Sequence, residues 1–156
     1  MIDVNFDLNN INAKLDGLAK AAKGAARVAA QAGAEVFYVE MKLRAPVSEN
    51  GPHLFYGTAS KKAPKGSKKA AAYLFPEGTL RDSIYQYYNK RLSTPDRPVY
   101  SVSWNHKEAP YGYMVEFGTS RAPANPFLRP SYEAAKGEAQ RVMLATLKDS
   151  INKGQA

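Results

Sequence analysis

The chain has 156 residues, 44% of them hydrophobic and 11% aromatic, which suits one globular domain with a buried core and is unlike a disordered sequence. It contains no cysteine, and its two histidines are far apart, which excludes disulfides and thiolate metal sites and argues against a catalytic metal. The net charge of +8 favours acidic partners, and five lysines of one short stretch supply much of it.

The N-terminal part of the chain predicts a short strand followed by a long helix. Residues 2–8 alternate between apolar and polar side chains, as in a half-buried strand. They lack the basic start and apolar block of a secretory signal, and no apolar run approaches the roughly 20 residues of a membrane span. We therefore expect neither a signal nor a span.

From residue 11 to residue 44, apolar residues recur at alternating spacings of four and three, which places them on one stripe of a helix. The stripe consists of Ile11, Leu15, Leu18, Ala22, Ala25, Ala29, Ala32, Val36, Val39 and Leu43. Alanine dominates its middle, so we expect another element to pack closely there. Gly24 and Gly33 predict a local bend or break, and Pro46 ends the helix.

Residues 47–78 form the least regular part of the pattern. Turn signals occur at 51–52, 63–64 and 76–78, and a lysine cluster lies between them. The cluster consists of Lys61, Lys62, Lys65, Lys68 and Lys69. We interpret 47–78 as a flexible lysine-rich insertion in the single domain 1–156, with a short helix at 67–73 as the alternative for its second half.

The second half of the chain predicts strands and a final helix. Residues 84–89 are aromatic and β-prone, and residues 98–104 and 113–117 alternate. Residues 131–152 have the apolar face of a helix. We therefore predict an α+β domain, in which a long N-terminal helix and a C-terminal helix pack on an antiparallel sheet of three to four strands.

Four pieces of the sequence together resemble one protein family. They are the alanine-rich helix ending at 43–46 (LRAP), the segment 78–84 (GTLRDSI), the run 111–119 (YGYMVEFGT) and the segment 126–130 (PFLRP), which opens the last helix. In that order they are similar to the neck and tail-completion proteins of tailed bacteriophages, minor tail components encoded between the head-closure and tail-terminator proteins. The connection at 47–78 is longer than in compact members of that family.

The resemblance implies a structural virion protein of the head–tail junction rather than an enzyme. Copies of the chain would form a ring around the DNA exit path and contact the phage head-closure and tail-terminator or tail-tube proteins, with no cofactor, metal or membrane partner. The protein would be made in the host bacterial cytoplasm and act in virion assembly by joining tail to head.

The candidate intersubunit contacts are Glu116, Phe117, Phe127, Leu128 and Arg129. Phe127 and Leu128 are anchors of the kind found at interface centres, and the alternative is that they fill the core beneath the sheet. Arg129 at a helix start is unfavourable for the helix dipole. This suggests a carboxylate partner, either Glu116 or an acid on a neighbouring subunit.

The lysine cluster is a candidate contact for packaged DNA or another anionic partner, and a solvated loop is the alternative. For the tyrosines of the predicted strands, packing on the sheet is favoured over stacking on bases, because duplex DNA keeps its bases inside. The alternative function is a basic nucleic-acid-binding module. No nucleophile motif or acid–base pair of carboxylates is evident, so we expect no enzymatic activity.

Overall fold

A computed structural model describes residues 8–48, 51–56 and 72–153. In chain order, the elements are α1 (Leu8–Arg44), β1 (His53–Tyr56), β2 (Ala72–Phe75), α2 (Thr79–Asp82), β3 (Ile84–Tyr88), β4 (Tyr100–Trp104), α3 (Gly112–Phe117) and α4 (Leu128–Lys153). Two long helices pack with short antiparallel strands, so the predicted α+β class is confirmed. Among the described residues, no helix has the length and apolar character needed to cross a membrane.

Helix α1 is one continuous helix of 37 residues, roughly 55 Å long. It begins at Leu8, where a strand was predicted, and residues 2–7 of that strand lie outside the described residues. The predicted break at Gly24 or Gly33 does not occur. A Cβ at Gly33 would lie 2.5 Å from Cγ of Met143 on α4, so this glycine makes room for α4 instead of interrupting α1.

Helix α4 runs antiparallel along α1. Near its start, the ring of Tyr132 stacks on that of Phe37, with 5.5 Å between the centroids. Further along α4, Met143 reaches Gly33, which is closer to the start of α1. Between them Ala139 is buried, and its small side chain permits the close approach of the two helices.

The buried face of α1 differs from the predicted stripe. Its buried members include Ala25, Ala29, Ala34 and Met41. Val39 and Leu43, at the end of the predicted stripe, are exposed. Along α1 the buried positions move gradually around the helix axis, whereas residues of a seven-residue repeat stay close to one side of the helix. The stripe prediction therefore holds at Ala25 and Ala29 and is wrong at the C-terminal end.

The four described strands form two separate antiparallel pairs, rather than the single sheet that was predicted. Strand β1 pairs with β2, and β3 pairs with β4. In the second pair, Ile84 lies opposite Trp104 and Tyr88 lies opposite Tyr100. This pair packs on α1, where the guanidinium carbon of Arg27 lies 4.5 Å from the centroid of the Tyr88 ring. Helix α1 is thus covered by α4 on one side and by β3–β4 on another.

Strands β1 and β2 belong to the segment that was interpreted as an insertion. Ala72 and Tyr73 lie in β2, so the alternative helix at 67–73 does not include them. The ring of Phe75 meets the ring of Tyr111 edge-on at 5.0 Å, which holds the end of this segment against the body. Residues 57–71, with the whole lysine cluster, lie outside the described residues.

Residues 113–117 lie in helix α3, so the strand predicted there is wrong. Gly112 and Glu116, four residues apart, are buried, whereas Tyr113 and Phe117 are exposed, which is the pattern of a helix with one face inward. Gly112 lies against the indole of Trp104, where a Cβ would collide with the ring. This close contact favours the helix over the alternating strand.

The core lies where the end of α1, helix α2, strands β3 and β4, and the start of α4 meet. Its buried members are Met41, Ala45, Leu80, Ile84, Trp104, Ala109 and Phe127. The indole N–H of Trp104 donates a hydrogen bond of 3.1 Å to the carbonyl of Ala109. Phe127 packs against Trp104 edge-on at 6.0 Å. The core therefore fixes the residue that directly precedes α4.

Candidate assembly surface at the junction of α3 and α4

The carboxylate of Glu116, on α3, closes the N-terminus of α4. Its Oε2 accepts hydrogen bonds from the backbone N–H of Phe127 at 2.8 Å and of Leu128 at 2.9 Å, and its Oε1 accepts one from the N–H of Arg129 at 3.4 Å. The first N–H groups of a helix lack partners within the helix, and the helix dipole favours a negative charge beside them. Glu116 therefore joins the two helices across residues 117–126.

Glu116 is a buried charge, with 1% of its side chain exposed. Burial alone would raise its pKa, but the N–H groups of Leu128, Phe127 and Arg129 and the Arg129 guanidinium together hold the pKa below its ordinary value. Nε of Arg129 lies 3.5 Å from Oε1, and that side chain is 71% exposed. Because exposed ion pairs contribute little to stability, the backbone N–H groups are the main stabilisation of the Glu116 charge.

A tight, exposed turn leads from α3 to α4. Gly118 has a φ of 75°, and a Cβ there would lie 2.8 Å from a backbone nitrogen of the same turn. Oγ1 of Thr119 accepts a hydrogen bond from the N–H of Ala122 at 3.0 Å. The N–H of Asn125 bonds back to the carbonyl of Val115 at 2.8 Å. These hydrogen bonds fix the shape of the turn and hold it against α3.

Four exposed side chains surround this junction and are called the assembly surface below: Tyr113, Met114, Phe117 and Arg129. The ring of Tyr113 lies 4.5 Å from that of Phe117, and the guanidinium carbon of Arg129 lies 5.0 Å from the Phe117 centroid. Aromatic residues, methionine and arginine are enriched in protein interfaces. The assembly surface therefore has the composition of a protein-binding patch on a rigid support.

Two largely apolar grooves flank the assembly surface. One, of about 360 Å³, is bordered by Phe117, Pro126 and Arg129. The other, of about 460 Å³, is bordered by Met114, by Val47 just after α1, and by residues of α2 and of the turn. The surface is therefore a ridge between two depressions, a shape that a neighbouring protein can interlock with.

The five candidate contacts fall into two groups. Glu116 and Phe127 are buried, and Leu128 packs against the core, so these three support the junction from within. Phe117 and Arg129 are exposed and available to another protein. Of the two carboxylate partners considered for Arg129, Glu116 is the one that Arg129 contacts in this chain.

The other candidates lie elsewhere. The lysine cluster is outside the described residues. Tyr85 and Tyr87 are exposed on β3, so the sheet packing favoured for the tyrosines does not bury them, whereas Tyr88 packs under Arg27. In the part of the chain that the structure describes, there is no group of three histidine or acidic residues that could hold a metal ion.

Two members of the assembly surface, Tyr113 and Met114, were missed because residues 113–117 were assigned to a strand. The helical spacing of Gly112 and Glu116 was the signal that could have found them. Comparison of the chain with protein-family models, with curated proteins and with solved structures finds no match. The functional inference therefore rests on the residues and their geometry.

Proposed function

We propose that this chain is a structural protein of the head–tail junction of a tailed bacteriophage, which acts in virion assembly by joining tail to head. The observation that carries the proposal is the set of hydrogen bonds from the backbone of 127–129 to Glu116. They make one structural unit of 111–119 and 126–130, the two most specific segments of the phage-like pattern. The pattern thus corresponds to a physical unit and not to two unrelated stretches.

This unit suits assembly better than catalysis. Glu116 borders the groove beside Phe117, but its charge is already taken up by three backbone N–H groups, so it stabilises the junction. Phe117 and Arg129 are displayed on a support that is ordered before any partner arrives. A pre-ordered surface loses less conformational entropy on binding, which favours association.

The expected partners follow from the resemblance. They are other copies of this chain in a ring, the head-closure protein on one side and the tail-terminator or tail-tube protein on the other. Separately from the resemblance, the charge of the lysine cluster makes it a candidate for non-specific contact with packaged DNA. The protein would be made in the host cytoplasm and reside in the virion. In a symmetric ring, many modest contacts repeat and together give stable joining.

The substitution Arg129→Glu tests the proposal. The side chain is 71% exposed, so the new carboxylate can turn into solvent and away from the buried Glu116, and the chain should still fold. In complementation of a phage that lacks this gene, we expect filled heads and finished tails to accumulate separately. Arg141→Glu is the matched control, because Arg141 is an exposed arginine of α4 that pairs with Glu138 away from the junction.

Two results would count against the proposal. Wild-type yields of joined particles from Arg129→Glu, with the fold verified by circular dichroism, would remove the assembly surface from head–tail joining. Salt-sensitive binding of duplex DNA by the isolated protein, combined with normal joining by the variant, would favour the basic nucleic-acid-binding module instead.

A further inference from the structure

Helix α1 carries an apolar face that the described elements cover only in part. Val28, Val39 and Leu43 are exposed, and Ala32 and Val36 between them are only partly buried. Spacings of three and four residues place these five on one side of the helix, and they are called the free face below. Leu43 is 75% exposed, an unusual fraction for a leucine in a helix with two packed sides.

The start of α1 differs from the free face, because there the described elements leave every side of the helix uncovered. All of residues 16–20, more than one full turn, are exposed, so no described element packs on any side of the helix there. Helices in proteins gain most of their stability from packing of an apolar face, and Gly17 weakens this turn by about 1 kcal/mol relative to alanine. Yet Leu18 continues an apolar spacing that begins at Ile11 and Leu15. The start of α1 is therefore suited to a partner outside the described chain.

We infer that the free face of α1 is covered by the start of α1 from a second copy of this chain. The two surfaces match in spacing, because the apolar positions 11, 15, 18 and 22 recur with the same intervals at 32, 36, 39 and 43. A seven-residue repeat of this kind allows the side chains of one helix to fit between those of the other. In this arrangement Leu18 of one copy lies beside Val39 of the next.

The charges are complementary as well. The first part of α1, residues 8–27, contains four basic residues and one acidic residue, Asp16. The groove beside the free face is bordered by Glu35, by Glu40, which pairs with Arg44, and by Val142 of α4. Glu35 is exposed and accepts a hydrogen bond from the neutral amide of Gln86, so its charge remains available to a basic helix. A basic amphipathic helix therefore fits this acid-bordered apolar groove.

This contact deepens the self-assembly part of the function proposed above and rests on it to that extent. It uses α1 and not the junction of α3 and α4, so the two can fail separately. If the wild-type chain did not self-associate but Arg129→Glu still blocked joining, the contact through α1 would be overturned and head–tail joining would remain in place.

Disulfide cross-linking tests the contact directly, because the natural chain has no cysteine. In the double variant Leu18→Cys, Val39→Cys, the two thiols lie roughly 32 Å apart on one continuous helix, far beyond the reach of a disulfide. Any disulfide must therefore join two copies. Under mild oxidation of the purified full chain, we expect covalent dimers and longer species on non-reducing gels.

The pair Leu18→Cys, Leu92→Cys is the control, since Leu92 is an exposed leucine in the turn after β3 and is not part of the free face. It should stay largely uncross-linked under the same conditions. Equal cross-linking of both pairs, or of Leu18→Cys alone, would overturn the assignment of Leu18 to the free face. Absence of cross-linking in the test pair would do the same.

A charge in the free face gives an independent readout. Leu43→Glu should shift the sedimentation of the protein towards the monomer, whereas Leu92→Glu should leave it unchanged. Both leucines are exposed, so neither change should lower the melting temperature appreciably. A wild-type chain that remains monomeric at its highest soluble concentration, or equal self-association of the two variants, would contradict the inference.

Discussion

The junction of α3 and α4 and the first part of α1 are opposite kinds of structure in one small protein. At the junction, the buried Glu116 has hydrogen bonds from three backbone N–H groups, and Phe127 is fully enclosed. In the first part of α1, residues 16–20 are exposed on every side of the helix. The junction is complete within one chain, whereas the start of α1 is not.

The difference separates two ways in which a protein can present a surface to a partner. The junction is held by groups inside the chain, and its exposed Phe117 and Arg129 contact each other on that support. The start of α1 gains little from the rest of the described chain and has apolar positions left over. We therefore expect changes to the buried residues of the junction to act mainly on folding, and changes to its exposed residues or to the start of α1 to act mainly on association.

The largest effect should come from Phe127→Ala. Truncation of a fully buried phenylalanine typically lowers the free energy of unfolding by about 3–5 kcal/mol, and Phe127 has no exposed surface. Phe117→Ala, ten residues earlier and half exposed, should cost much less. Urea denaturation of the two variants measures the contrast, and equal losses would show that the junction is not the rigid unit described here.

Replacement of Glu116 by glutamine should have the next largest effect. The amide keeps the shape of the side chain but loses the charge that holds the N-terminus of α4, and hydrogen bonds to charged groups contribute about 1.5–3 kcal/mol. Chemical denaturation at neutral pH measures the loss. A variant as stable as wild type would contradict the role of Glu116 as a cap.

Glu116 also predicts a dependence of stability on pH. Its pKa is lower in the folded protein than in the unfolded chain, so its stabilisation is fully present above the unfolded-state value of about 4.3 and is lost as the pH falls through the folded-state pKa. On acidification, the stabilities of wild type and Glu116→Gln should converge. A gap that stays constant from neutral to acid pH would show that the charge does not contribute.

Overpacking of α1 should have a smaller effect that depends on position. Ala29 is buried beside α4, so Ala29→Leu should lower stability by about 1–3 kcal/mol. Ala19→Leu in the exposed start of the same helix should change it by less than about 0.5 kcal/mol. Thermal unfolding distinguishes the two. A large loss from Ala19→Leu would place that turn against another part of the chain.

The smallest effect should come from exchange of residues 60–69 for a short glycine–serine linker. If 47–78 is an insertion closed by β1 and β2, a change in the length of its middle alters stability by only about 0.6 kcal/mol for each twofold change. The melting temperature checks this. A large drop would show that the lysine-rich stretch belongs to the core.

The sequence predicts the two long helices well, because their apolar residues recur over many turns. It also places the short strands β3 and β4 within two residues of their ends. It fails in the run 111–117, where the spacing of Val115 and Phe117 fits a strand and that of Gly112 and Glu116 fits a helix. The helix buries Gly112 against Trp104 and turns Glu116 inward, and these contacts depend on packing that the local spacing does not report.

The sequence likewise predicts only part of the candidate site. The segments at 111–119 and 126–130 were recognisable, and Arg129 was expected to meet a carboxylate such as Glu116. Glu116 is itself buried and binds the backbone of α4 because the intervening turn folds back on α3. The spacing of apolar residues in the sequence does not predict such a turn. The free face of α1 could not be predicted from the sequence either. A seven-residue apolar repeat indicates a stripe on the helix but does not show which part of that stripe another element covers.

Hydrogen–deuterium exchange of the backbone amides tests the central contrast most directly. In dilute, monomeric protein, we expect fast exchange in residues 8–20 and slow exchange at Phe127, Leu128 and Arg129, whose N–H groups bond to Glu116. At concentrations where copies associate, residues 8–20 should become protected while the junction stays as it was. Equal protection of both regions in the monomer would contradict the account.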